Sequence, residues 1–150
     1  MLKKAIVVFA LTLLSGCSSN SVINSLPGSN AASDINFDDM YLRGVFNWWE
    51  ATPAYRLNEG RTNWYVDVEL IADGQPYDFK LADKVWTASQ TCGGKYKGQP
   101  ATLNQTTYLV CGSDAENIQF VPSTTDTYRF SFARASGDEI RLDITPAPAT

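Results

Sequence analysis

The chain has 150 residues, of which 16 are Asp or Glu and 12 are Lys or Arg, and it contains no histidine. Its few cations are scattered singly among acids, whereas binding a phosphate backbone needs clustered Lys and Arg, so nucleic acid is excluded as a partner. The lack of histidine removes the commonest general base and metal ligand, which excludes Ser-His-Asp and Cys-His catalysis and ordinary zinc sites. We therefore expect no catalytic residue, no metal and no cofactor.

The first 16 residues predict a secretory signal. Lys3 and Lys4 precede a mainly apolar run from 5 to 14, which is too short to span a bilayer, and small residues then lead to Cys17. This ending resembles the lipobox of bacterial lipoproteins, in which the signal is cut before the cysteine and the cysteine is acylated. The resemblance implies a lipid anchor at Cys17, and Ser18 beside it implies the outer membrane of a bacterial cell envelope. An ordinary signal peptide with an incidental cysteine is the alternative.

The rest of the chain divides into a tether, one domain and a short tail. Loss of Lys3 and Lys4 with the signal changes the net charge from −4 to −6. Residues 17–33 are rich in Ser, Asn and Gly and poor in large apolar residues, a composition that predicts a lipidated flexible tether. Residues 34–146 have the length of a single domain, and 147–150 are expected to be a disordered tail.

Within the domain, apolar residues recur with a period of two, which predicts β-strands with one buried face. No stretch shows the sustained period of an amphipathic helix. Many short strands separated by turns at 72–75 and 135–138 predict an all-β antiparallel sandwich. The predicted strands, in chain order, are 40–46, 64–70, 77–82, 107–111, 117–121, 127–133 and 139–144.

Cys92 and Cys111 remain once Cys17 is assigned to the anchor. In an oxidising envelope compartment, two such cysteines predict a disulfide, which stabilises the fold by about 3 kcal/mol in the chain-entropy model. A catalytic thiol would need a neighbouring base, and no histidine supplies one.

The aromatic residues follow a recognisable order. Gly44-Val45-Phe46-Asn47-Trp48-Trp49 is followed by a strand and then by Tyr77-Asp78-Phe79-Lys80, an acidic turn and Trp86. This order is similar to that of the starch- and glycogen-binding immunoglobulin-like modules, of the kinds attached to pullulanases and found in outer-membrane starch-binding lipoproteins. The resemblance implies an immunoglobulin-like β-sandwich and covers nearly the whole domain.

The same resemblance implies where a sugar would bind. Trp49 and Trp86 are its two sugar-stacking aromatics, and Lys80 would donate a hydrogen bond to a glucose hydroxyl, with a plain solvated charge as its alternative. Flat rings suit the apolar face of a pyranose, while placed donors and acceptors suit its hydroxyl rim. The next candidates are Trp48, Tyr55, Asp83, Arg43 and Asn47, of which Asn47 has a turn role as its alternative.

Several of these aromatics have a packing role as the alternative. Trp48 and Trp49 would point to opposite faces if they lie in a strand, so that at most one fills the core. Trp64 is either a packed edge or part of the platform. The glycine-rich loop 93–98 either covers one side of the platform or is a plain surface loop.

The sequence as a whole predicts a lipid-anchored, non-catalytic carbohydrate-binding module for an α-glucan such as starch, glycogen or a maltooligosaccharide. The first alternative is an envelope accessory lipoprotein that binds a protein partner through the same aromatic patch. The second is a small glycosidase, which requires two carboxylates across a cleft. A domain of this size has little room for a deep cleft, so catalysis is the weaker alternative.

Overall fold

A computed structural model describes residues 34–150. The signal sequence, Cys17 and the tether predicted from the sequence lie outside the described residues. The described part is all-β, with short 3-10 helices in its connections. Within this part, no helix is long and apolar enough to cross a membrane.

The described residues form ten strands, and every strand pairing is antiparallel except that of the short β6 with β8, which is parallel. The predicted all-β sandwich is therefore confirmed. The strands are β1 (Tyr41–Gly44), β2 (Asn58–Glu59), β3 (Trp64–Leu70), β4 (Tyr77–Ala82), β5 (Thr91–Gly93), β6 (Gln99–Pro100), β7 (Thr106–Cys111), β8 (Ile118–Phe120), β9 (Asp126–Arg134) and β10 (Glu139–Pro146).

The strands follow one hydrogen-bonded path, β2-β3-β9-β10-β7-β5-β4-β8-β6, with β1 paired to β4. The path folds over so that β4 and β8 face β9 across the core. Phe79 and Phe120 meet Phe130 edge to face, with ring centroids 5.3 and 6.1 Å apart, although neither strand pairs with β9. These contacts between unpaired strands define two layers.

Strand alternation separates a buried face from a polar one. Along β3, Val66, Val68 and Leu70 are buried, whereas Asp67 between them is exposed and receives two hydrogen bonds from Arg129, at 2.7 and 2.8 Å. This bidentate bond raises the pKa of Arg129. Burying each large apolar side chain stabilises the fold by about 1.5 to 3 kcal/mol, so the inner face is the main source of stability.

The Cys92–Cys111 disulfide is confirmed. Cys92 on β5 lies directly opposite Cys111 on β7, and β5 also pairs with β4. The bond therefore fastens the short strand through which the path passes from one layer to the other. β5 itself was not predicted, since three residues followed by a glycine show no periodicity.

The first predicted strand, 40–46, is wrong at its end, because β1 stops at Gly44. The Asn47 side chain accepts a hydrogen bond from the Gly44 N–H and donates one to the Leu42 carbonyl, each at 2.9 Å, which turns the chain into a 3-10 helix at Val45–Asn47. A Cβ at Gly44 would lie 2.6 Å from the Asp78 carbonyl oxygen, so the turn also needs glycine there.

We predict that Phe130→Ala lowers the free energy of unfolding by about 3 to 5 kcal/mol, because it removes a ring buried between the layers. Urea unfolding measures this change. Ile71→Ala, at a side chain that is 60% exposed, is the control and should change stability by less than about 0.5 kcal/mol. A loss below about 1 kcal/mol for Phe130→Ala would contradict the two-layer packing.

Candidate functional site

Two loops bring Trp49 and Trp86 together. The first loop, 45–57, follows β1, and the second loop, 83–90, follows β4. β1 and β4 are antiparallel neighbours, so their following loops start at opposite ends of the pair. The first loop turns back where the Trp49 N–H donates to the Gly44 carbonyl at 2.9 Å. The indole rings meet with their centroids 6.3 Å apart and their planes inclined by 42°.

The site is open to solvent. Trp86 is 39% exposed, Trp49 is half-buried, and Trp48 is 87% exposed. Trp48 and Trp49 lie in the turn after β1 and not in a strand, so the opposite-face argument does not apply to them, and neither is buried, which agrees with the expectation that at most one fills the core. Val45 and Val85, close to Trp49 and Trp86 along the chain, are also exposed, and neither was singled out from the sequence.

Backbone strain is concentrated in the same two loops. Trp48, Trp49 and Trp86 have φ values of 56°, 62° and 59°, in the left-handed region that residues with a Cβ seldom adopt. Among the described residues, Asn104 is the one other non-glycine residue with positive φ. Such strain costs on the order of 1 to 2 kcal/mol per residue and tends to mark functional sites.

Arg43 lies against the Trp86 ring and is only 5% exposed, so it does not face solvent as the ligand contact suggested from the sequence would. Its Nε donates to the Trp49 carbonyl at 2.6 Å, and its Nη1 donates to the carbonyls of Asp83 at 2.8 Å and Lys84 at 3.2 Å. The guanidinium carbon lies 3.9 Å from the Trp86 ring centroid. Burial lowers the pKa of Arg43, and the negative charges of Glu50 and Asp83, which raise it, offset only part of this effect.

Lys80 is the cross-strand neighbour of Arg43, and Asp83 lies in the turn that leads to Trp86. Lys80 is half-buried on β4 and stands directly opposite Arg43 in the β1–β4 register, so it belongs to the same face. An Asp83 carboxylate oxygen accepts a hydrogen bond from the Thr87 N–H at 2.8 Å, across the turn that carries Trp86. Asp83 therefore shapes the loop through both its backbone and its side chain.

Tyr55 and Asn47, two further candidates from the sequence, make contacts within the protein and not at the Trp49–Trp86 pair. Tyr55 stacks on Phe46 with centroids 5.4 Å apart, and Phe46 also contacts Tyr77, so Tyr55 belongs to a second aromatic cluster. Asn47 is 7% exposed and has the turn role described above, which was its alternative.

Trp64 is a packed edge. Its ring stacks on Phe37 at 4.5 Å, its Nε1 donates to Asp38 at 3.2 Å, and Arg134 covers both rings. Trp64 is therefore separate from the Trp49–Trp86 pair.

The glycine-rich loop 93–98 is hydrogen-bonded to the connection between β7 and β8. Gly94 exchanges hydrogen bonds with Glu116, and the Gly98 N–H donates to the Asn117 carbonyl. Tyr96 at its tip is 58% exposed. In the described range 34–150, no group of three or more His, Cys, Asp or Glu side chains is placed to hold a metal ion.

Among known proteins, this chain is similar in fold to a solved structure. No family model matches the chain, and no curated protein matches it. A solved structure described as "Ligand induced structure of AmyP-SBD", a starch-binding domain, is similar with a TM-score of 0.53 and 19% sequence identity, over 93% of this chain and 97% of that chain. At this identity the likeness shows the fold alone, and the β-sandwich of this protein is thus one that it shares with a starch-binding domain.

Proposed function

We propose that this protein is a non-catalytic carbohydrate-binding module that binds an α-glucan on the Trp49–Trp86 pair. The observation that carries the proposal is the convergence of two solvent-accessible indoles, from separate strained loops, at 6.3 Å and 42°. A core role would bury both rings, and relaxed loops would not need the left-handed conformation at either residue. The shared fold with a starch-binding domain supports the proposal further.

The chemistry of a hexose suits this surface. One face of a glucopyranose is lined by C–H groups, which pack on the flat indole, and the hydroxyl rim needs a small number of polar partners. Lys80 on the same face supplies an ammonium donor for that rim. Trp48, exposed beyond the pair, offers a further ring to a longer chain.

The inclination of the rings favours a curved polymer. Successive glucose units of an α-1,4-glucan turn along a helix, whereas those of cellulose form a nearly flat ribbon. Two planes inclined by 42° present different directions to neighbouring sugars, which suits starch, glycogen or a maltooligosaccharide. Coplanar rings would suit the flat ribbon instead.

The affinity of one such site is modest. Two stacked rings and a few hydrogen bonds contribute about 0.5 to 1.5 kcal/mol each, which corresponds to dissociation constants between about 1 mM and tens of micromolar. We propose that the lipid at Cys17 anchors the protein to the outer membrane, where many copies hold one polymer. Effective concentration would then compensate for the weak single site.

A protein partner is the second candidate function. Val45, Trp48, Val85 and Trp86 are all exposed apolar residues of the two loops, and a rimmed apolar patch with tryptophan is typical of an interaction hot spot. Retention by amylopectin separates the two candidates, because a surface made for a protein would not retard the chain in a polysaccharide gel. Release of reducing sugar from soluble starch by the pure protein would favour the glycosidase alternative.

We predict that Trp49→Ala and Trp86→Ala each weaken amylopectin binding at least tenfold, because each removes one stacking surface. Affinity electrophoresis of the full chain measures this loss, in a detergent without a sugar headgroup. Tyr108→Ala is the matched control, since it removes a ring that is 44% exposed on β7. Equal retardation of all four proteins would contradict the assignment of the site.

We also predict that the protein binds maltoheptaose at least tenfold more tightly than cellohexaose, because of the inclination between the rings. Titration of each oligosaccharide against intrinsic tryptophan fluorescence gives the ratio. Equal affinity for the two sugars would contradict the specificity for α-glucans, although the indole pair could still be the sugar-binding surface.

A further inference from the structure

We infer that Arg43 is a positioning residue, whose buried guanidinium sets the distance and inclination of the Trp49 and Trp86 rings. The binding role of these rings rests on the proposed function, whereas the positioning itself is a property of the free protein. Arg43 thereby determines the shape of the surface that the ligand meets without contacting the ligand.

The guanidinium links two loops that no strand pairing joins. Nε holds the first loop at the Trp49 carbonyl, and Nη1 holds the second at the carbonyls of Asp83 and Lys84, just before Trp86. Because the guanidinium group is planar and rigid, these donors have fixed relative directions. The two loops are consequently held at a fixed separation.

Arg43 also decides which face of Trp86 is available. Its guanidinium carbon lies 3.9 Å from the ring centroid and so covers one face of the indole. Trp86 is nevertheless 39% exposed, so part of the ring away from the guanidinium is open to a ligand. A ligand therefore cannot use the face that Arg43 covers.

The arrangement also explains how the charge is tolerated at 5% exposure. A buried cation is costly unless its N–H groups find acceptors and its charge finds partners. Three backbone carbonyls, an aromatic face and the nearby acids Glu50 and Asp83 supply both. Lysine carries the same charge but lacks the rigid fork, so its freely rotating donors would not fix the two loops at one separation.

The test is Arg43→Lys, measured first in the absence of sugar. Two indoles at this separation give an exciton couplet in far-ultraviolet circular dichroism, which Trp86→Phe abolishes and thereby assigns. We expect Arg43→Lys to reduce the couplet by at least half and to weaken maltoheptaose binding about tenfold, with cooperative urea unfolding retained. A merely structural arginine would not change the couplet in a folded variant.

Arg134→Lys is the matched control, because Arg134 also covers aromatic rings, those of Phe37 and Trp64, and donates to the Ile35 carbonyl at 2.6 Å. It should leave the couplet unchanged. A couplet that persists in Arg43→Lys, or that falls equally in both variants, would overturn the inference.

A measurement on the unmodified chain covers the case in which Arg43→Lys does not fold. The Arg43 Hε proton, which is hydrogen-bonded to the Trp49 carbonyl, should exchange slowly with solvent and show nuclear Overhauser contacts to the Trp86 indole, and fast exchange without those contacts would overturn the inference. If the chain binds no glucan while Arg43→Lys still loses the couplet, the proposed function fails and the positioning role stands.

Discussion

Burying a guanidinium costs free energy unless its donors find acceptors, and Arg43 finds them on the two loops that carry Trp49 and Trp86. The interaction works in both directions. The loops supply the carbonyl groups that the buried charge requires, and the charge holds the loops in a backbone conformation that is strained at both tryptophans. The aromatic surface is therefore already formed in the free protein, so little ordering would remain to oppose the proposed weak binding.

The fold tolerates this backbone strain because the contacts that stabilise the sandwich lie outside the two loops. The core lies between the layers, where Phe79, Phe120 and Phe130 meet, and the disulfide fastens β5 to β7. The two loops lie on the outer side of β1 and β4, away from these contacts. Changes to the exposed ends of the loops can therefore alter the proposed ligand surface while the core stays intact, which is the usual relation between loops and a rigid scaffold.

The sequence was informative where a regular period operates over several residues. The longer strands β3, β4, β9 and β10 follow from alternation, and the disulfide follows from the count of cysteines and their expected compartment. Two- and three-residue strands such as β5 have no period to detect. The end of β1 was missed because side-chain hydrogen bonds from Asn47, and not hydrophobic pattern, decide where the chain turns.

The sequence likewise predicted part of the candidate site and missed the rest. The order of aromatic motifs singled out Trp49 and Trp86, which the structure brings together. It could not show that Arg43 lies buried against the Trp86 ring, because an arginine in an exposed and in a buried position looks the same in sequence. Nor could it separate Tyr55 and Trp64 from the pair, since their stacking on Phe46 and on Phe37 depends on contacts between distant segments.

The central claim is that the paired indoles are the surface on which an α-glucan lies. Nuclear magnetic resonance of the four indole N–H signals during a maltoheptaose titration tests it most directly, with packed Trp64 as the internal reference. We expect saturable shifts of the Trp49 and Trp86 signals at one common dissociation constant, while the Trp64 signal stays in place. Unmoved Trp49 and Trp86 signals at millimolar sugar would contradict it.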